Sequence, residues 1–524
     1  MIDSTNNPTT PTTEDQSRKI FTRRVGGFLR GTLLFLAIAI QLGIAIFLVY
    51  MMQHAAIWLY FAIQLIAVID IFLLTEKRKN ASYTMAWVLL ILLLPVSGHL
   101  LYILWGRRIR HKEMSRTLAR TSGYLVRDPA VEADLIEQHH ERKRLVNYLA
   151  RRGFPVYQRT TCDYYVLGDD QFPVMLKEIA AAKRFILIST FIVGKGTLWT
   201  QMKELLAQKV AEGVEVRFMY DDWGSLFTAP DRLDKDLKSI GVKVLRWGPI
   251  LSSLSQVYAN YRNHQKICII DGEIAYTGGA NVADEYININ SPFGHWKDTG
   301  IRLEGDAVWS LTVTFLQMWE GETEREENFD KYRPQRTFPK SPGFYQPFSD
   351  GPMDSTTNPA DVMYRSIINN AQEYVYIMTP YLIIDNSMVD ALRTAALGGT
   401  DVRIFTPHIW DKWYVHIVTQ SNYETLLSAG VKIYEYTPGY MHAKTILSDD
   451  DHCITGTINM DYRSFYLHYE NAVWICGAPV LKDIKADFAE TMAMCHEIKL
   501  EQWQNRPLLT KIIQKVFRIF AIFL

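Results

Sequence analysis

Phe185-Ile-Leu-Ile-Ser-Thr-Phe-Ile-Val193 and Tyr374-Val-Tyr-Ile-Met-Thr-Pro-Tyr-Leu382 are two apolar runs of strand length, and each reads as a buried strand. What surrounds them decides the fold, because the same elements recur in the same order. A helix-patterned stretch follows each run. Gly213-Val-Glu-Val-Arg-Phe-Met-Tyr-Asp221 then matches Gly399-Thr-Asp-Val-Arg-Ile-Phe-Thr-Pro407, and Gly241-Val-Lys-Val244 matches Gly430-Val-Lys-Ile433. Each half is a strand–helix–strand–helix–strand unit that ends in a hairpin. Strands joined by helical crossovers run parallel. The expected fold is α/β, with two pseudo-symmetric lobes, each a mainly parallel sheet flanked by helices. The polar, Pro-rich stretch 321–359 reads as a linker between a first lobe at 154–320 and a second at 360–500.

Each half closes on the same motif. His264-Gln-Lys266-Ile-Cys-Ile-Ile-Asp271 is followed by Gly278-Gly279-Ala280-Asn281, and His442-Ala-Lys444-Thr-Ile-Leu-Ser-Asp449 by Gly456-Thr457-Ile458-Asn459. Two residues apart on a strand, His264 and Lys266 project from one face, as do His442 and Lys444. Asp271-Gly272 and Ser448-Asp449-Asp450-Asp451 are hairpin turns, so the motif aspartates sit at the far strand end. They are expected to brace the fold without touching the ligand. The small residues Gly278, Gly279, Gly456 and Thr457 would let backbone approach a ligand, and Asn281 and Asn459 can donate to its oxygens. Two lysines and two asparagines around one point make a phosphate site. Two histidines beside it supply a nucleophile and a general acid/base for a phosphodiester, with no metal required. The nucleophile is assigned to His264 and the acid/base role to His442. A nucleophilic histidine also needs a carboxylate to orient it. Asp298, after Trp296-Lys297, and Glu470, after His468-Tyr469, stand at related places in the repeat. They are expected to orient the two histidines, crosswise between the halves.

The paired H-x-K-x4-D motifs resemble the phospholipase D superfamily. The wider text is similar to bacterial cardiolipin synthases: Asn260-Tyr-Arg-Asn-His264, Gly278-Gly-Ala-Asn-Val-Ala-Asp-Glu-Tyr286, Trp296-Lys-Asp-Thr299, Ser349-Asp-Gly-Pro352 and Asn459-Met-Asp-Tyr-Arg-Ser-Phe465. It extends to Ala86-Trp-Val88 through Pro95, Gly98 and Tyr102. The resemblance implies phospholipase D-like lobes and a phosphatidyltransferase without a cofactor. One phosphatidylglycerol would give its phosphatidyl group to a histidine and release glycerol; a second would accept it, forming cardiolipin. It also implies an acidic residue at Asp298 and Glu470. There is one departure: the family usually has Asn and Phe where this chain has His468 and Tyr469, which puts the local pocket polarity in question. Another phosphatidyltransferase, a hydrolytic phospholipase D and a nucleic-acid phosphodiesterase are the alternatives on this fold; a membrane scaffold with dead motifs is another class.

Outward from the motifs, Lys+Arg and Asp+Glu both count 56, which argues against a nucleic-acid partner. Anionic membrane lipids are the expected partners, and the oligomeric state is left open. Residues 1–30 read as a disordered, then basic, tail, and 107–153 as a helical connector in which His139 and His140 lie on a solvated face. Between them, 31–52, 57–74 and 85–105 are long and apolar enough to read as membrane segments. Basic residues precede the first, follow the second at Lys77-Arg78-Lys79, and follow the third at Arg107, Arg108, Arg110 and Lys112. The positive-inside rule places all three clusters on the cytoplasmic side. The expected topology is a hairpin of two full spans, a third segment made re-entrant by Pro95 and Gly98, and a cytoplasmic catalytic domain in a bacterial membrane. At the other end, 501–524 is expected to be an amphipathic helix. From Pro507 onward Lys511, Gln514, Lys515 and Arg518 follow helical spacing, which fits a helix on anionic headgroups or one docked on the core. The five cysteines form no C-x-x-C pair, and Cys268 and Cys453 lie in apolar runs as buried free thiols.

Overall fold

A computed structural model describes residues 36, 39–47, 54–76, 81–103, 112–249, 260–352 and 358–521. The 1–30 tail, most of the first apolar segment and the basic clusters at 77–79 and 107–110 lie outside the described residues. The chain divides into two compact units, Met1–Arg107 and Arg108–Leu524.

In the first unit the second apolar segment lies within one helix, His54–Glu76. The third breaks at Pro95 into Ala81–Leu93 and Pro95–Leu101, because proline has no N–H for the ladder and its ring clashes with the preceding turn. The chain folds back so tightly there that a side chain at Gly98 would strike the Leu90 carbonyl. Trp87 packs edge-on to Tyr102, 5.4 Å between ring centres. Among the described residues no helix is long and apolar enough to cross a membrane.

In the second unit the first half contributes strands β1 (Thr160–Tyr165), β2 (Phe185–Thr190), β3 (Glu215–Asp221), β4 (Lys243–Trp247), β5 (Arg262–Asn263), β6 (Ile267–Ile270), β7 (Ile274–Gly278), β8 (His295–Lys297) and β9 (Gly300–Gly305). The second half contributes β10 (Phe344–Asp350), β11 (Tyr374–Met378), β12 (Leu382–Ile383), β13 (Asp401–Pro407), β14 (Lys432–Tyr436), β15 (Gly439–Met441), β16 (Thr445–Ser448), β17 (His452–Gly456), β18 (Met460–Asp461), β19 (His468–Cys476) and β20 (Cys495–Ile498). The sheet orders are β1-β9-β7-β6-β2-β3-β4 and β10-β19-β17-β16-β11-β13-β14-β20, so the second repeats the first and adds one edge strand.

The sheets are mixed, which corrects the mainly parallel expectation. Along the two sheet orders, among the described residues, the parallel pairs are those of the helix-linked strands β2, β3 and β4, and β11, β13 and β14. The motif hairpins β6–β7 and β16–β17 and the strands beyond them add antiparallel pairs, since a tight turn must reverse the chain. β10, expected within the linker, is instead an edge strand on β19. Phe344, Tyr345 and Phe348 are buried there, and Pro347 is tolerated because an edge leaves one side of the strand unpaired. The two sheets face each other across one apolar core that includes Leu187, Ile269 and Leu447 and the almost wholly buried helix Val308–Thr323. His139, expected on a solvated face, pairs with Asp451 at 2.7 Å. The five cysteines are free thiols, with Cys268 and Cys453 buried.

Candidate active site

Two short strand exchanges between the lobes build the site. β5 leaves its own sheet to pair with β19, and β8 pairs with β15. The residue after β5 is His264, whose N–H donates to the Tyr469 carbonyl at 2.9 Å. The residue after β15 is His442, whose N–H donates to the Lys297 carbonyl at 2.7 Å. Each histidine is thereby set beside the acidic residue that follows its partner in the other lobe.

His264 Nδ1 lies 2.9 Å from both carboxylate oxygens of Glu470. A carboxylate only accepts, so the ring proton sits on Nδ1 and Nε2 keeps a free lone pair. Glu470, fully buried, also accepts from the hydroxyls of Thr457 and Ser464, the latter at 2.7 Å. His442 Nδ1 lies 2.6 Å from Asp298 Oδ2, but Lys444 Nζ reaches the same nitrogen at 2.8 Å. One nitrogen cannot donate to the carboxylate and accept from the amine at once, so the two compete for it. Asp298 is held in place by the Thr299 N–H at 3.0 Å.

Both lysine amines bond the carbonyl of their own histidine, Lys266 to His264 at 2.7 Å and Lys444 to His442. His264-Gln265-Lys266 occupies the extended gap between β5 and β6, outside a regular strand. The four groups share one buried field. Burial, with the charges of Lys266 and Lys444, holds both imidazoles well below their ordinary range. Burial likewise pulls Lys266 down to about 7 and Lys444 down to about 8, and pushes Asp298 up to about 6 against the pull of the two lysines.

The remaining expected residues divide. Asp271 accepts the backbone N–H groups of Lys183, Arg184 and Phe185 at 2.7–3.0 Å; Asp449 accepts those of Gln372, Glu373 and Tyr374 at 2.9–3.0 Å. Both have φ near +55°, the turn geometry, and tie the hairpin to the strand beside it, away from the histidines. Burial alone would raise Asp449, but the three N–H donors and Arg142 hold it below the usual carboxylate range. Asn281 is committed within the protein: its Oδ1 accepts from Phe191 and Ile192 N–H at 3.2 and 3.0 Å, and its Nδ2 donates to Tyr286 at 2.7 Å. Asn459 is buried with Oδ1 unpartnered. Gly278, Gly279 and Gly456 are small for a reason other than ligand approach. A Cβ would strike the Thr299 backbone, the Asp298 carboxylate and the Asn471 carbonyl, respectively.

Three features escaped the sequence. Trp296, Tyr286 and Tyr440 surround His442, with ring centres 5.2–5.7 Å away, and Phe191 lies 5.0 Å from His264. Asp221, fully buried and pushed up to about 6 by desolvation, accepts the Asn263 N–H at 3.0 Å and so supports the histidine strand. His468 lies 5.4 Å from His264 with neither ring nitrogen hydrogen-bonded; its 3.6 Å approach to Glu470 is too long for a bond. Its departure from the family pattern was the one signal available.

A duplicated lobe with a histidine and a lysine from each half meeting at the junction defines a phospholipase D-like protein. A solved phosphatidylserine synthase from Haemophilus influenzae shares this fold, with TM-score 0.56 at 14% identity over 73% of this chain and all of its own. The family described as cardiolipin synthase, PLD-like domain, matches residues 175–296 and 364–492, and the phospholipase D-nuclease N-terminal family matches 62–107. An uncharacterised protein of Streptococcus mutans is 40% identical over 86% of this chain and 98% of its own length. Cardiolipin synthase 1 of Bacillus cereus is 33% identical over 86% of this chain and 91% of its own. The chain belongs to the cardiolipin synthase family of phospholipase D-like proteins.

Proposed function

We infer that this protein is a membrane-associated phosphatidyltransferase that makes cardiolipin from two molecules of phosphatidylglycerol. The observation that carries the mechanism is the crosswise pairing of His264 with Glu470 and His442 with Asp298. His264 is neutral, with its Nδ1–H donating to Glu470, so the free lone pair of Nε2 attacks phosphorus. The bond from phosphorus to the glycerol oxygen breaks, and His442, charged in the lipid complex where the phosphodiester anion and Asp298 offset Lys266 and Lys444, gives that oxygen its proton and becomes neutral. Lys266 and Lys444 neutralise the non-bridging oxygens as charge builds. His442 then takes the proton of the terminal hydroxyl of a second phosphatidylglycerol. That oxygen attacks phosphorus, the phosphorus–nitrogen bond breaks, and both histidines return to their starting state. The contest between Asp298 and Lys444 over His442 Nδ1 suits it to gaining and losing a proton, which favours the acid/base role.

Purified protein supplied with phosphatidylglycerol in detergent should yield cardiolipin and free glycerol in equal amounts. Phosphatidic acid as the main product would make the protein a hydrolase.

A further inference from the structure

Helix Leu508–Ile519 is amphipathic and docked with the wrong face inward for a soluble protein. Gln514, on its polar stripe, is 2% exposed and accepts from Arg506 Nε at 2.9 Å; Arg518 is partly buried on the same side. The apolar stripe points out, with Leu508 73%, Leu509 68%, Ile512 49%, Val516 47% and Ile519 48% exposed. A helix that packs for stability buries its apolar side, so this orientation requires another apolar phase. The helix also borders the active site. Phe517 lies 5.6 Å from Trp413, which follows Asp411 and Lys412, two charges that act on His442. Trp410 in this segment is 46% exposed; in the equivalent segment after β3, Trp223 is 47% and Phe227 85% exposed. Trp223 in turn lies against Arg262, two residues before His264. Exposed apolar side chains thus flank the site in both lobes, and on one flank Trp413 and Phe517 join them to the helix.

We propose that helix Leu508–Ile519 lies in the surface of an anionic bilayer, apolar stripe toward the acyl chains, and holds the active-site mouth against the membrane that supplies both lipids. The lipid supply rests on the phosphatidyltransferase reading; the docking does not. Charge selects the occupant. No acidic residue follows Glu501, while Lys511, Lys515 and Arg518 lie along the helix. A bilayer bearing phosphatidylglycerol complements that charge, whereas a second copy of the same face would repel it.

The test uses the full chain, reconstituted in vesicles of equal phosphatidylglycerol and phosphatidylcholine. An environment-sensitive fluorophore is placed on Ile512→Cys, on Glu137→Cys as a remote control, and on the unsubstituted protein as the blank for native thiols. The label at 512 should shift to the blue and be quenched by spin labels at shallow acyl depth, and the label at 137 should not. No quenching at 512 overturns the proposal. So does a blue shift that follows protein concentration and ignores lipid, which would mean self-association. In a second arm, Ile512→Ser/Val516→Ser should lower turnover of bilayer phosphatidylglycerol about tenfold and leave that of a short-chain, monomeric phosphatidylglycerol unchanged. Equal loss on both substrates would make the helix merely structural and refute docking. If the unsubstituted protein forms no cardiolipin from either substrate, the functional reading fails while the quenching result stands.

Discussion

At the residue scale two kinds of carboxylate do different work. Asp298 and Glu470 each bond one histidine, whereas Asp271 and Asp449 bond backbone N–H groups near the hairpins, Asp449 with Arg142 beside it, and neither touches a histidine of the motifs. Asp298→Asn and Glu470→Gln should therefore lower kcat by about a hundredfold or more with the melting temperature nearly unchanged. Asp271→Asn should keep much of its activity but lose about 1–3 kcal/mol of stability in denaturant, since a neutral amide cannot accept three N–H bonds equally well. A folded but dead Asp271→Asn beside a fully active Glu470→Gln would reverse the assignment. The lysines set the pH response. Lys266 is drawn down to about 7 and Lys444 to about 8 by burial, so both are charged below pH 7 and neutral well above 8. Affinity for a soluble dialkyl phosphodiester, whose charge is constant there, should fall as pH rises through 7–8. Stability should move the other way. Unfolded lysine holds its proton to about 10.4, so above pH 7 the unfolded state binds more protons and the penalty of burying the charge is relieved as pH rises. Lys266→Met should flatten both curves. Titration calorimetry and thermal melts at pH 6 to 9 measure the two effects.

Among the elements, the N-terminal segments carry the topology. The chain folds back at Pro95, with Gly98 against Leu90, a shape suited to a segment that enters and leaves on one side. The basic clusters flanking all three segments are the ground for the expectation, from the positive-inside rule, of two spans and a cytoplasmic catalytic domain, and labelling tests it. Arg78→Cys and Lys112→Cys should resist a membrane-impermeant thiol reagent added to intact cells and react after lysis. Reaction at either from outside refutes the arrangement. β10 shows what sequence reading loses at this scale. Pro347 and Ser349, following the Pro-rich run before the strand, look like linker, and its role emerges only when β19 offers it an edge.

For the whole molecule, the lobes depend on each other. Lys297 of the first lobe and Asp487 of the second are both nearly fully buried and pair at 2.6 Å. Asp487 also accepts the Tyr164 hydroxyl at 2.7 Å. With the core shared between the sheets, residues 108–524 should melt in one transition. Lys297→Met strands a buried carboxylate and should cost about 3–5 kcal/mol. Adding Asp487→Leu should recover most of that, and a double-mutant cycle by denaturant unfolding gives the coupling. If the two changes add without coupling, the pair does not hold the lobes together.

Much of this was legible in the chain because it depends on local spacing and repetition. The duplicated strands, the H-x-K pairs, the turn positions of Asp271 and Asp449, and the helical stripe from Lys511 to Arg518 are properties of short segments. Their periodicities are set by backbone geometry, so no tertiary knowledge is needed to read them. The tertiary structure decided what depends on distant partners. It showed the antiparallel pairing around the hairpins, the steric reason for Gly279, the unpartnered His468 at His264, and the outward turn of the C-terminal apolar stripe. A side chain's burial and hydrogen-bond partners come from whichever element packs over it, and that element lies up to hundreds of residues away in the sequence.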